Sequence, residues 1–217
     1  KYWESKSVEY SDVLITLNTR DSSLLHEYYG KEAALTLPTS LEDRYDAQAQ
    51  IDHAAKGAID YLFVGVAFFA NIQGAQWFID EVMPHVDGEL YIIGNGMDRV
   101  DFRNLTSRIH IRGYVDDLSS YYYRAKAVVS PILSGGGMKT KTAEALMFAK
   151  GIIGTPEAFE GYEIDPRCMV VCRSAEEFIA AINAGVERFG LENAYARDIY
   201  SRNHNTTNLK KHLERIL

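Results

Sequence analysis

The sequence predicts an α/β fold, a mostly parallel sheet with helices covering both faces. Three observations point there. Apolar runs of strand length alternate with helical stretches along most of the chain, the pattern made by buried parallel strands and their crossover helices. Several of those runs pass directly into glycine-bearing loops, as in "VGVAFF", "GNG", "GYVDD", "LSGGG" and "GTPEAFEG". Three consecutive glycines, Gly135, Gly136 and Gly137, stand immediately ahead of a helix. In open sheets of this kind ligands bind in the crevice beyond the carboxyl ends of the strands, where these loops would collect.

The elements follow in order. "DVLITLN" (12–18) reads as a strand, and "TRDSSLLHEYYG" (19–30) as a helix in which Leu24, Leu25 and Tyr28 give the helical spacing and Gly30 the stop. "AALTLP" (33–38) is a short strand. The polar run "TSLEDRYDAQAQIDHAAKGA" (39–58) lacks clear periodicity and reads as a linker. Beyond it the strands are "DYLFVGV" (60–66), "ELYIIGNG" (89–96), "RIHIRGYV" (108–115), "AVVSPI" (127–132), "GIIGT" (151–155) and "CMVVC" (168–172). Between them lie the helices "IQGAQWFIDEVMPHV" (72–86), "DLSSYYYRAK" (117–126) and "GMKTKTAEALMFAK" (137–150). Asp116 or Asp117 is expected to cap the second of these. "SAEEFIAAINAGVERFG" (174–190) opens with a Ser174/Glu177 capping box, and residues from 191 to the end read as helical.

Composition narrows the function. At 217 residues the chain makes one large or two small domains, and a net charge of −7 argues against nucleic acid or an anionic membrane as a general partner. The uncharged run 61–79 contains Asn71, Gln73, Gln76 and two glycines, so it reads as strand, loop and helix in preference to a membrane span. Cys168 and Cys172, four apart on a strand, would sit ~13 Å from each other, beyond disulfide reach. The six histidines show no metal-ligand spacing, and no metal is expected. The chain opens "KYWES" without methionine or visible signal peptide, and is expected to be a piece of something longer.

The glycine loop carries the chemistry. Glycines let a ligand approach the backbone, and the following helix offers unpaired N–H groups and the positive end of its dipole. Lys139 and Lys141 put positive charge where that dipole disfavours it, which calls for a reason; an anionic ligand is one. Two positions apart on a helix is ~200°, so the two cannot both point squarely at one phosphate. The other open reading is a glycine-rich turn with solvated lysines and a Lys141–Glu144 surface pair worth ~0.2–0.5 kcal/mol. "GGGMKT" lacks the P-loop spacing, and "GNGMDR" has two of the three glycines of a dinucleotide fingerprint. No serine or cysteine nucleophile stands in a recognisable motif.

Taken in order, "FVGVAFFANIQGAQWFIDEVMP", "ELYIIGNG", the block from Ile109 to Thr155 and "EAFEGYE" resemble the C-terminal half of GT-B glycosyltransferases. The family they are most similar to is the retaining group 1 family that builds bacterial surface polysaccharides. The resemblance implies a Rossmann-like, nucleotide-sugar-binding domain with terminal helices over residues 57–217. Residues 1–56 resemble, more weakly, the tail of the N-terminal (acceptor) domain and the hinge. The helices ending at Leu217 resemble the family's natural terminus.

For the site, the resemblance implies a nucleotide-diphosphate sugar of UDP or GDP type as substrate, with no separate cofactor. Its diphosphate would lie over Gly135, Gly136, Gly137, Met138 and Lys139, with Gly65, Gly94 and Tyr114 around it. Lys141 and Glu144 would be the catalytic residues. Glu144 matches the second of two family glutamates eight positions apart, the one that holds the ribose hydroxyls; the first falls on Gly136, which cannot hold the donor sugar. Val66 stands where a basic residue often follows "VG", so Lys139 and Lys141 are expected to supply charge for the phosphates. The reaction implied is transfer with retention to a glycan or lipid-linked acceptor, this chain alone being inactive. The location implied is cytoplasmic, at the inner face of the membrane, with peripheral contact through the missing N-terminal domain. A nucleotide-sugar epimerase of the same architecture and a non-catalytic nucleotide-binding domain are the alternatives; Gly136 and Val66 favour the second.

Overall fold

The computed structural model describes residues 2–214, apart from the side chain of His212. Six parallel strands form the body: β3 (Ile59–Val64), β4 (Leu90–Ile93), β5 (Ile109–Arg112), β6 (Ala125–Ser130), β7 (Ile152–Gly154) and β8 (Met169–Val171), in the spatial order β5-β4-β3-β6-β7-β8. The order reverses between β3 and β6, which makes the crevice above those two strands the switch point of a doubly wound sheet. Along β3 the side chains alternate: Tyr61 and Phe63 enter one core, Leu62 and Val64 the other. The first core is covered by α4 (Phe69–Glu81) and α7 (Ala175–Asn183), through Phe78, Ile79, Phe178 and Ile182. The second is covered by α5 (Ser119–Arg124), α6 (Thr140–Met147) and α8 (Ala194–Ile199), through Tyr122, Leu146 and Ile199. Both faces are thus dry, which is why the strands read as continuous apolar runs.

Element ends differ from the sequence reading for local reasons. The helix expected over 72–86 begins at Phe69 and gives way to a 3₁₀ turn, Met83–His85, at Pro84. The helix expected over 117–126 stops at Arg124, because Ala125 already pairs with Ile59 in the β3–β6 ladder. Its N-cap position falls on Leu118, without a side-chain cap; the expected Asp117 stands one residue earlier, its Oδ1 accepting from the Ser119 amide at 3.0 Å. The 61–79 run is strand, loop and helix, and among the described residues no helix is long and apolar enough to cross a membrane. Cys168 and Cys172 are free and buried. Residues 191–214 fold as α8, a π-helical turn over Tyr200–His204 and α9 (Thr206–Leu213); the expectation for 215–217 lies outside the described residues.

The N-terminal part departs most. After α1 (Tyr2–Tyr10), the strands expected over 12–18 and 33–38 shrink to two residues each, β1 (Ile15–Thr16) and β2 (Leu35–Thr36), paired in parallel. α2 (Thr19–Tyr29) forms where expected, capped by the Asn18 side chain and closed by Gly30 at φ 64°, but it buries no residue. The stretch read as a linker holds α3 (Ala47–Ala54), capped by Asp46. This helix was hidden because it docks by hydrogen bonds. Gln50 is buried, donates to the Tyr123 carbonyl at 2.8 Å and accepts from Lys150 Nζ at 3.2 Å. The segment before α3 crosses the C-terminal tail: Leu41 N donates to His204 O at 2.8 Å, Thr206 N to Leu41 O at 3.1 Å, and Arg197 grips Asp43 at 2.8 Å.

Candidate functional site

A cleft of about 580 Å³ opens beyond the carboxyl ends of β3, β4 and β5, with the start of α6 as its far wall. Of the residues singled out in the sequence, Gly65, Gly94, Tyr114, Met138, Lys139, Lys141 and Glu144 line it; Gly135, Gly136 and Gly137 lie outside its wall. Tyr114 stands on the rim, 74% exposed. The floor glycines are needed by one another. A Cβ on Gly94 would fall 1.9 Å from the Gly65 carbonyl oxygen, and one on Gly65 would fall 2.9 Å from both Asn71 Nδ2 and Lys141 Nζ. Neither position can carry a side chain without moving the backbone or the lysine.

Side-chain capping divides the helices into two groups. α2, α3, α7 and α8 each have a side-chain cap at the N-terminus, from Asn18, Asp46, Ser174 and Asn193. α4, α5 and α6 have none; Lys141 stands on α6 and faces the start of α4. Their first N–H groups and dipole ends are left for another acceptor.

The two lysines diverge. Lys141 Nζ donates to Asn71 Oδ1 at 2.6 Å, lies 4.4 Å over the Phe63 ring, and has no carboxylate paired with it among the described residues. Burial, with Lys139 nearby, lowers its pKa to about 7. Lys139 turns the other way: its Nζ donates to Glu157 Oε1 at 2.7 Å and to the carbonyls of Gly137 and Gly136 at 2.8 and 3.4 Å. Glu144, one turn beyond Lys141, is bonded to neither lysine. It takes Arg44 Nη2 and the Tyr122 hydroxyl, each at 3.4 Å. Burial raises its pKa, with Arg44 opposing. Arg44 and Glu157 were not singled out in the sequence; Asn71 was, but only as a polar residue of the uncharged run 61–79, with nothing to tie it to Lys141.

Residues 58–187, more than half of the chain, match a family model described as glycosyl transferases group 1. The chain belongs to that family. A comparison with proteins of curated function finds no match. Among solved structures, this group 1 glycosyltransferase is similar to HepE from Anabaena in complex with UDP and glucose. That match has TM-score 0.77 and 10% identity, and covers 97% of this chain and 64% of that one. It is also similar to TarM, with TM-score 0.72, 13% identity, and 98% and 45% coverage. A glycosyltransferase from Rickettsia africae matches with TM-score 0.72, 13% identity, and 93% and 62% coverage. The group 1 chain therefore spans about half to two thirds of the length of these structures. At such identities the likeness is one of fold, and the fold is GT-B: a six-stranded parallel sheet with helices around it.

Proposed function

We propose that the cleft binds the diphosphate of a nucleotide-sugar donor, and that this chain is mainly the donor-binding part of a glycosyltransferase. The observation that carries the reading is Lys141: a half-buried amine without a carboxylate partner among the described residues, set at the carboxyl end of β3 beside two uncapped helix N-termini. Such a group is poised for an anion, and its proton affinity rises when one arrives. Glu144, on the next turn and partly buried, is suited to accept from ribose hydroxyls once Arg44 yields. During transfer negative charge grows on the departing phosphate oxygen; Lys141 and the free N–H groups of α6 are fixed donors for it. The acceptor, a glycan or lipid-linked sugar, and retention of configuration follow the family resemblance. So does the assignment of residues 1–56 to the tail of an acceptor domain and of 57–217 to the donor domain. The cytoplasmic face of the membrane, where such donors are made, is the location that fits. UDP is the first nucleotide to try, since the HepE match was solved with it.

Calorimetric titration with UDP, GDP and ADP tests the reading. One nucleotide is expected to bind at micromolar strength, with affinity lowered at least about tenfold, ~1.4 kcal/mol, by Glu144→Ala or Lys141→Met. Near pH 8 the binding heat should depend on the buffer's ionisation enthalpy, because Lys141 takes up a proton. Equal affinity in wild type and both variants would sink the assignment. Gly136 favours the non-catalytic alternative, since nothing lies within 4 Å of where its side chain would begin. Binding by a full-length protein that transfers no sugar would decide for that alternative.

A further inference from the structure

Glu157 lies in the 3₁₀ turn Pro156–Phe159 after β7 and forms no part of the cleft wall. Its carboxylate nevertheless gathers three bonds: from Lys139 Nζ at 2.7 Å, and from the two terminal nitrogens of Arg20 at 3.0 and 3.3 Å. Burial pushes its carboxyl up, but the Arg20 and Lys139 bonds outweigh that and hold it below the usual range. Glu160 adds a second carboxylate, 3.4 Å from Arg20.

The lysine held there closes the glycine loop on itself. Its Nζ donates to the carbonyls of Gly136 and Gly137, and a Cβ on Gly135 would lie 3.5 Å from Lys139 Cε and 4.0 Å from Glu157 Oε1. Gly135 and Gly137 have φ of 149° and 65°, and a run of three glycines is the costliest kind of segment to order. A loop that must stay in one shape beside a binding cleft needs an anchor, and its backbone supplies none. Arg20 brings that anchor from the first turn of α2. The N-terminal segment also touches the loop elsewhere: Thr39 N donates to Met138 Sδ at 3.4 Å, and a Cβ on Gly161 would lie 2.8 Å from Asn18 Cβ and 2.9 Å from Met138 Cγ.

We infer that Glu157 is a positioning residue: it locks the glycine loop through Lys139 and, through Arg20, ties the lock to the seating of the N-terminal segment. The lock itself stands on these contacts alone; its effect on affinity rests on the donor reading above. Lys139 is then spent inside the protein, and the cleft's working cation is Lys141.

The test is the ¹H–¹⁵N heteronuclear NOE of Gly135, Gly136 and Gly137 in the free chain. Glu157→Gln should lower it at all three and Arg20→Ala should lower it less, whereas Lys139→Arg, which keeps charge and donors, should preserve it. An unchanged NOE in Glu157→Gln, or an equal fall in Lys139→Arg, overturns the inference. Where a nucleotide binds the wild type, Glu157→Gln should weaken it about five- to tenfold, the scale of re-ordering a few groups. Tighter binding would instead mean that Glu157 masks Lys139, which also overturns it. If no nucleotide binds any variant, the donor reading fails, and the NOE comparison still decides the lock.

Discussion

Helices α2 and α4 are of similar length, 11 and 13 residues, and each follows a strand, yet α2 buries none of its residues and α4 buries five. Leu24 and Tyr28 on α2 face outward, while Phe78 and Ile79 on α4 are within 1% of complete burial against the sheet. The two helices are bounded by opposite means. α2 is defined locally, by the Asn18 cap and the left-handed Gly30, whereas α4 has no side-chain cap and is held by what it packs against. Caps place a helix along the chain; burial gives it a share in the stability of the whole.

The comparison can be broken or sharpened by substitution followed by urea unfolding. Phe78→Ala, which empties a site packed edge-on against the Phe178 ring, should cost about 3–5 kcal/mol. Lys150→Met should cost about 1–3 kcal/mol at pH 8, because Gln50 Oε1 and the Leu191 carbonyl lose this donor and the Tyr123 carbonyl one of its two. The same variant tests a pH dependence. Burial lowers Lys150 and Lys141 to about 7 in the folded chain, against about 10.4 unfolded. Between those values the unfolded state binds more protons, so stability should rise with pH from about 7 and level off near 10. Lys150→Met should make that slope shallower; an unchanged slope would mean the lysine is not buried as described. Arg197→Ala, which frees Asp43 and the Met147 carbonyl, should cost about 1–2 kcal/mol. Leu24→Ala on α2 should stay within about 0.5 kcal/mol, the ordinary surface range. A cost near that of Phe78→Ala would show α2 to be buried in solution.

What the sequence disclosed follows the same division. The body strands were legible because both faces of each are dry, and the cleft because its glycines follow strands directly in a parallel sheet. Lys141 and Glu144 stood out as charges at a helix start. Their partners did not, since Asn71 meets Lys141 across 70 residues and Arg44 meets Glu144 across 100; the Arg20–Glu157 pair, 137 residues apart, was hidden in the same way. No local spacing encodes such pairs. α3 escaped for another reason: a helix that docks through a glutamine and a buried lysine has no apolar stripe to find.

The crossing of Leu41 with His204 and Thr206 has a mechanical consequence. With Asp43 gripped by Arg197 and Gln50 by Lys150, residues 41–50 are fastened to the body along their length. A single cut at the exposed Lys56–Gly57 bond would therefore leave two fragments that stay together without a covalent link. The four residues ahead of that segment, from Leu37 to Ser40, are held as well, the Thr39 carbonyl lying 2.9 Å from His204 Nδ1. There Pro38 stiffens the chain, and the Thr39 amide leans on Met138 at the foot of the glycine loop.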